Sequence, residues 1–205
     1  MQGEPATRRL FVALMLGAEL GARVSRQVRA SLGLRGGEPP PRQLRLVAAD
    51  DLHLTLFFLG AVATERSAAL EAALGAAVEG LEAPRLELGR AGAFPDARRP
   101  RILWLGLREP VAGALGALVD AVHRACVGQG FEADPRPFAA HVTAGRVRAE
   151  RGRQRAPAGV PPGFFELDPG LPWQPGSVAL VESAPGGPGP AYRPIRTWPL
   201  ASRPA

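Results

Sequence analysis

"DLHLTLFFLG", residues 51–60, alternates polar side chains with leucine before it becomes wholly apolar. This alternation predicts a β-strand, in which side chains two residues apart point to the same face. His53 and Thr55 therefore share one face of the strand, about 7 Å apart along the chain. An imidazole beside a hydroxyl indicates either a chemical site or an ordinary solvated sheet face.

The same arrangement recurs in "AHVTAGRVR", residues 140–148, where His141 stands two residues before Thr143. Only three histidines occur in the chain, so two His-x-Thr matches in strand-like segments are hard to attribute to chance. Each of these strands follows a helical pattern and a proline-containing loop. The repetition predicts an internal pseudo-duplication that sets the two strands side by side about a twofold axis, with four side chains facing one cleft.

Periodicity and turn residues predict an alternation of helices and strands along the chain. The segment at 44–60 fits one strand or two short ones, and Thr64 is a candidate N-cap for the helix after it. Strands are predicted at 8–16, 44–60, 85–94, 101–107, 140–148, 177–184 and 192–200, with helices at 18–33 and 64–80 and around Cys126, a hairpin turn at 95–100, and a mobile loop at 151–162.

Composition limits the function classes. With 205 residues, 46% of them hydrophobic, the chain can bury the core of one domain or two small lobes. No apolar run approaches the roughly 20 residues that span a bilayer, and the N-terminus lacks the order of a signal peptide, so we expect a cytoplasmic protein without a membrane partner. The net charge of +6 comes entirely from arginine, with no lysine or asparagine in the chain. This bias suggests GC-rich codons, so basicity is weak evidence for nucleic-acid binding.

Cys126 is the only cysteine, which excludes an internal disulfide framework and a CxxC metal site. It lies in an apolar pattern of helical spacing, which predicts core packing rather than a nucleophile. His123, at the edge of this pattern, has no threonine partner and is interpreted as structural. The residues of the pattern are Val111, Leu115, Leu118, Val119, Val122 and Cys126.

Two imidazoles and two hydroxyls suit the splitting of a phosphodiester by in-line displacement. One histidine can take a proton from the attacking oxygen while the other gives one to the leaving oxygen, because both titrate near neutral pH. The hydroxyls can donate to the non-bridging oxygens. A metal site would need further ligands; Asp50 and Asp51 flank His53, but nothing comparable flanks His141. We therefore expect no metal and no cofactor.

The segments that frame the two motifs carry a family resemblance. In order they are "RLFVALML", "LHLTLFFLG", "GAFPDARRPRILWLGL", "RPFAAHVTAGR" and "VALVESAPGGPGPAYRPIRTWPL". Together they cover nearly the whole chain and resemble the RNA 2′,3′-cyclic phosphodiesterases, also called 2′-5′ RNA ligases, of the 2H phosphoesterase superfamily.

The resemblance implies a single 2H phosphoesterase domain over residues 1–205 with a bilobal α+β fold, two antiparallel sheets and flanking helices around a central cleft. It also implies a metal-independent, monomeric enzyme that hydrolyses the terminal 2′,3′-cyclic phosphate of RNA, tRNA fragments among its partners, to a 2′-phosphate. Some members of the family also join 2′-5′ linkages reversibly. Two alternatives stay open: a phosphodiesterase for a small cyclic nucleotide, and a non-catalytic RNA- or nucleotide-binding module.

Position by position, the resemblance implies roles for five residues. His53 would be the proton donor to the departing 3′ oxygen and His141 the proton acceptor from water. Thr55 and Thr143 would hold the phosphate, and Arg146, which closes the second motif, would bind substrate.

Four other positions qualify the resemblance. Phe58 matches an aromatic position of the first motif, but on a regular strand it faces away from His53, which predicts core packing rather than base stacking. Ala140 replaces the usual proline before His141, and Ala144 with Gly145 replaces an aliphatic residue after Thr143. These departures indicate a less rigid loop and bear on substrate handling rather than on the chemistry.

Overall fold

The computed structural model describes residues 6–148, 160–184 and 191–202. Most of the loop predicted at 151–162 and of the turn between the last two strands lies outside the described residues. In the described part, no helix is long and apolar enough to cross a membrane.

The described residues include four α-helices and nine β-strands. The strands are β1 (Thr7–Met15), β2 (Leu44–Leu46), β3 (His53–Ala63), β4 (Leu86–Phe94), β5 (Ile102–Arg108), β6 (His141–Val147), β7 (Leu171–Trp173), β8 (Ser177–Ala184) and β9 (Ala191–Pro199). The helices are α1 (Ala18–Ser31), α2 (Ser67–Val78), α3 (Ala114–Gly128) and α4 (Pro162–Glu166).

The named strands pair antiparallel throughout. Their order is β7-β4-β5-β6-β3-β1-β8-β9, and β2 pairs with β6 beyond the point where β3 leaves it. The α+β class and the antiparallel architecture are therefore as predicted. The two predicted sheets are halves of one sheet, because β3 and β6 pair near their N-terminal ends through Leu54 and Val142.

Each half of the sheet has its own helices. α2 and α3 pack against each other, α3 contacts β3 and α2 contacts β9. In the other half α1 packs against α4, and α4 contacts β4. On one face of the sheet, buried apolar side chains of both halves merge into one core, which includes Leu54 and Val142 at the junction. The sheet face opposite these two residues is left for the cleft.

The helix around Cys126 packs as the apolar pattern predicts, with one exception. Its buried residues include every member of the predicted set except Val111, which is 72% exposed and precedes the helix. The helix begins later because the Glu109 carboxylate accepts hydrogen bonds from the backbone N–H groups of Gly113 and Leu115. Burial raises the pKa of the Cys126 thiol to about 12, which keeps it protonated and unreactive.

The segment at 44–60 forms two strands separated by a 3₁₀ turn at Ala49–Asp51. The prediction of Thr64 as an N-cap was wrong. A 3₁₀ turn at Thr64–Arg66 comes first, and α2 begins only at Ser67. The Thr64 hydroxyl instead donates to the Ala6 carbonyl at 2.8 Å, which ties β1 to the end of β3.

Candidate active site

The pairing of β3 with β6 brings the two His-x-Thr motifs together. Leu54 lies opposite Val142, so in an antiparallel register His53 lies opposite Thr143 and Thr55 opposite His141. Leu54 and Val142 point into the core, where they are 1% and 0% exposed, and the flanking side chains therefore point to the other face. All four flanking side chains line one cleft. A local twofold axis through the central pair relates the two motifs.

Both histidines are oriented by the same kind of hydrogen bond. The Nδ1–H group of His53 donates to the Asp51 carbonyl at 2.6 Å, and that of His141 to the Ala139 carbonyl at 2.7 Å. A carbonyl oxygen can only accept, so in each ring Nδ1 carries a hydrogen. Nε2 is therefore the nitrogen that each ring has available for proton transfer.

Aromatic side chains surround each imidazole. The His53 ring lies 4.9 Å from the ring of Phe11 and 5.0 Å from that of Tyr192, the latter edge to face at 86°. The His141 ring lies 5.2 Å from that of Phe94 and 6.5 Å from that of Trp104. Trp104 therefore packs beside a site histidine.

His53 has a shifted affinity for protons. Burial lowers the pKa of its imidazole below the ordinary value, and the charges of Arg146 and His141 act in the same direction. The hydrogen bond to the Asp51 carbonyl and the charge of Asp51 oppose this shift. In the free protein His53 is consequently neutral over more of the pH range than an exposed histidine would be.

A β-bulge occurs at the same place in both motifs. In β3, Thr55 pairs with Ala13 and Phe57 with Val12, so Leu56 is the extra residue. In β6, Thr143 pairs with Trp104 and Gly145 with Leu103, so Ala144 is the extra residue. An extra residue reverses the in-and-out alternation of a strand.

Because of these bulges, the side chain of the fifth residue after each histidine points into the cleft. Phe58 and Arg146 occupy that position, and both are exposed and line the cleft. The prediction that Phe58 packs in the core was wrong: it is 67% exposed, whereas Phe57 is 3% exposed. The alternation of a regular strand had assigned Phe58 to the opposite face.

Gly145 has a steric role beside the second bulge. A Cβ atom at this position would lie 3.1 Å from the Arg45 carbonyl oxygen and 3.2 Å from the Leu46 side chain. Ala144 is 2% exposed, so it too has little room. Glycine at 145 thus allows β2 to approach β6 closely.

The cleft is large and basic. Its volume is about 1060 Å³. Asp51 is the one acidic residue among the lining side chains of the described part. The lining arginines are Arg9, Arg29, Arg42, Arg45, Arg146 and Arg148.

In residues 6–148, 160–184 and 191–202, no three His, Cys, Asp or Glu side chains are grouped as metal ligands. His123, the third histidine, lies away from the cleft and packs its ring against Phe57 at 4.9 Å. The structure therefore brings together His53, Thr55, His141, Thr143 and Arg146, and it adds Phe11, Phe58, Phe94 and Tyr192, which sequence reasoning did not assign to the site.

The chain matches known proteins along most of its length. A protein named RNA 2′,3′-cyclic phosphodiesterase from Escherichia coli is 35% identical over 159 residues, 77% of this chain and 79% of the relative. A protein of the same name from Archaeoglobus fulgidus is 31% identical over 140 residues, 68% of this chain and 73% of the relative. The crystal structure of E. coli LigT complexed with 3′-AMP superposes with a TM-score of 0.69 at 29% identity, covering 95% of this chain and 99% of LigT.

The model of the 2′-5′ RNA ligase superfamily matches residues 27–187, which include both His-x-Thr motifs and both bulges. The resemblance inferred from the framing segments is thus confirmed. The chain belongs to the 2′-5′ RNA ligase superfamily.

Proposed function

We propose that this chain is an RNA 2′,3′-cyclic phosphodiesterase that needs no metal and leaves a 2′-phosphate. The observation that carries the proposal is the register of β3 and β6, which sets each histidine opposite the threonine of the other motif in one cleft. The names of the E. coli and A. fulgidus relatives support the same activity.

The reaction is an in-line displacement at phosphorus. Water attacks the cyclic phosphate from the side of His141, whose Nε2 takes the proton as the new P–O bond forms. The P–O3′ bond breaks, and His53 Nε2 gives its proton to the departing 3′ oxygen. Phosphate stays on O2′, and each histidine ends in the protonation state opposite to the one in which it began.

The hydroxyls of Thr55 and Thr143 stabilise charge that builds up during this displacement. They lie on the cleft face between the two imidazoles, and each can donate to a non-bridging oxygen. Arg146 adds a positive charge close enough to His53 to influence its pKa.

If a 5′-hydroxyl of RNA replaces water, the same proton transfers produce a 2′-5′ linkage, so we include reversible joining in the proposal. Ends of tRNA fragments are candidate substrates.

The role of His53 as acid requires it to be protonated when substrate is bound. Its lowered pKa in the free protein works against this, but a bound phosphate brings negative charge beside the ring. That charge stabilises the imidazolium and raises the pKa. Substrate binding would then protonate the acid at the moment it is needed.

We expect an NMR titration of the free protein to give a His53 midpoint below the ordinary value of about 6.5. Saturation with adenosine 2′-monophosphate is expected to raise this midpoint. Since His53 must be protonated to act as the acid, activity at low substrate should be lost on the alkaline side at a lower pH than activity at saturation. A free-state midpoint at or above about 6.5, or no rise on binding, contradicts this account of His53.

We propose that Phe58, which is exposed and lines the cleft, stacks on the terminal base. We expect Phe58→Ala to raise KM by about 5–150-fold, since stacking on an aromatic ring is worth about 1–3 kcal/mol per base. Because Phe58 is 67% exposed, the midpoint of thermal unfolding of the Phe58→Ala protein should differ little from that of the wild type. The adjacent Phe57→Ala, which empties a buried site, should behave in the opposite way and destabilise the fold by about 3–5 kcal/mol. An unchanged KM in Phe58→Ala would remove Phe58 from the substrate site.

The proposal is tested by incubating chelator-treated protein with a short RNA that ends in a 2′,3′-cyclic phosphate. We expect hydrolysis at a rate that chelators do not change, with a bell-shaped dependence on pH. Activity that disappears on chelation and returns with a divalent metal would contradict the metal-independent mechanism. Binding of the RNA without turnover would favour the alternative of a binding module.

A further inference from the structure

β2 carries an arginine that the proposed chemistry does not use. This short strand pairs with β6 where β3 has ended, and its central residue, Arg45, lies directly opposite Arg146. Side chains directly opposite in an antiparallel pair lie on the same face of the sheet. Both of these arginines line the cleft.

Two like charges directly opposite each other on a sheet repel. Neither Arg45 nor Arg146 forms a salt bridge to an acidic side chain in the described residues. Arg42 and Arg148 line the same end of the cleft and add to the positive charge. An anion bound between Arg45 and Arg146 would offset the repulsion, and guanidinium groups are well suited to phosphate.

Arg45 lies away from the point where the two histidine strands meet. Arg146 lies four residues beyond Val142, on the order of 10 Å along β6 from the point where the histidine strands meet. Arg146 can reach back toward His53, since its charge contributes to lowering the pKa of that imidazole. Arg45 lies opposite Arg146 on β2. The opposite arm of the cleft carries the rings of Phe11, Phe58 and Tyr192 and a single lining arginine of the described residues, Arg9.

We propose that Arg45 binds the phosphodiester on the 5′ side of the reacting end, so that the RNA leaves the site over β2 and a dinucleotide is a better substrate than a mononucleotide. This inference rests on the proposed function and specifies its substrate class. The terminal base would lie toward Phe58 and the rest of the chain toward the arginines of β2 and β6.

The test compares two substrates: adenosine 2′,3′-cyclic phosphate, and the 3′-5′ adenylyl dinucleotide that ends in the same cyclic phosphate. We expect the wild-type protein to have a kcat/KM at least about tenfold higher for the dinucleotide, since one good phosphate contact is worth about 1.5–3 kcal/mol. Arg45→Gln should lower the ratio of the two values at least about fivefold. It should also reduce the salt slope for the dinucleotide by about 0.7.

Two further variants make the result decisive. Arg45→Lys keeps a positive charge and is expected to keep a ratio above that of Arg45→Gln, whereas Arg124→Gln, on the exposed side of α3, should leave the ratio at its wild-type value. A wild-type ratio near one, a normal ratio in Arg45→Gln, or an Arg45→Lys protein as impaired as Arg45→Gln would overturn the inference and leave the proposed function standing. If the wild-type protein hydrolyses neither substrate, the proposed function itself fails.

Discussion

Replacing His53 or His141 with alanine is expected to lower kcat for hydrolysis of the cyclic phosphate by about 10²–10⁴-fold, the usual effect of removing a general acid or base. Both side chains point into the cleft rather than into the core, so the fold should persist. Single-turnover measurements on each variant, with circular dichroism as a check of folding, give the comparison.

His123→Ala is the matched control, because it removes the third imidazole of the chain from a place outside the cleft. Its kcat should stay within a small factor of the wild-type value. The double variant of His53 and His141 should be little worse than the weaker single variant if the two histidines act as a unit. A His53→Ala protein with nearly normal turnover would show that the motif is structural.

Replacing Thr55 or Thr143 with valine is expected to reduce kcat by about 10²–10³-fold, because each hydroxyl donates to an oxygen whose charge grows in the transition state. Valine keeps the branched shape that suits a strand, so packing is retained. The loss should appear in kcat more than in KM, since the donated hydrogen bond strengthens during the reaction.

Serine at either position is the control that keeps a hydroxyl on the same strand. We expect Thr55→Ser and Thr143→Ser to retain most of the activity lost in the valine variants. Valine variants that raise KM alone would mean that the hydroxyls hold the ground state and do not stabilise the transition state. Valine variants with wild-type kinetics would place the phosphate elsewhere in the cleft.

The His-x-Thr motifs could be predicted from sequence because a regular strand repeats every two residues. That rule places His53 with Thr55 and His141 with Thr143, and the register of β3 and β6 then brings the pairs together. The same rule fails at Phe58, since the extra residue Leu56 reverses the alternation. Nothing in the local apolar run distinguishes a bulge from a regular strand.

Arg146 was included in the predicted site through the family resemblance alone. Strand alternation from His141 would have assigned it to the buried face, as it did for Phe58. The bulge at Ala144 turns it back into the cleft. The two halves of the site are therefore equivalent up to the bulge and then differ, one supplying an aromatic ring and the other a guanidinium group.

The aromatic neighbours of the histidines depend on pairing between distant strands. Phe11 and Tyr192 meet at His53 because β1 pairs with both β3 and β8, and β8 pairs with β9. No short-range pattern reports such contacts. The errors at Val111 and Thr64 have local causes, and in both cases the helix begins later than the apolar pattern suggests. At the start of α3, the Glu109 carboxylate accepts hydrogen bonds from the first backbone N–H groups. Before α2, the Thr64 hydroxyl donates to the Ala6 carbonyl instead of capping the helix.

We propose that the two opposed His-x-Thr motifs form one site that displaces O3′ from a cyclic phosphate. The most direct test is to incubate the chelator-treated wild-type protein with an RNA ending in a 2′,3′-cyclic phosphate and to resolve the product by phosphorus NMR. We expect a terminal 2′-phosphate with a free 3′-hydroxyl. A 3′-phosphate would contradict the assignment of the leaving oxygen, and an unchanged cyclic phosphate would contradict the proposed catalytic function.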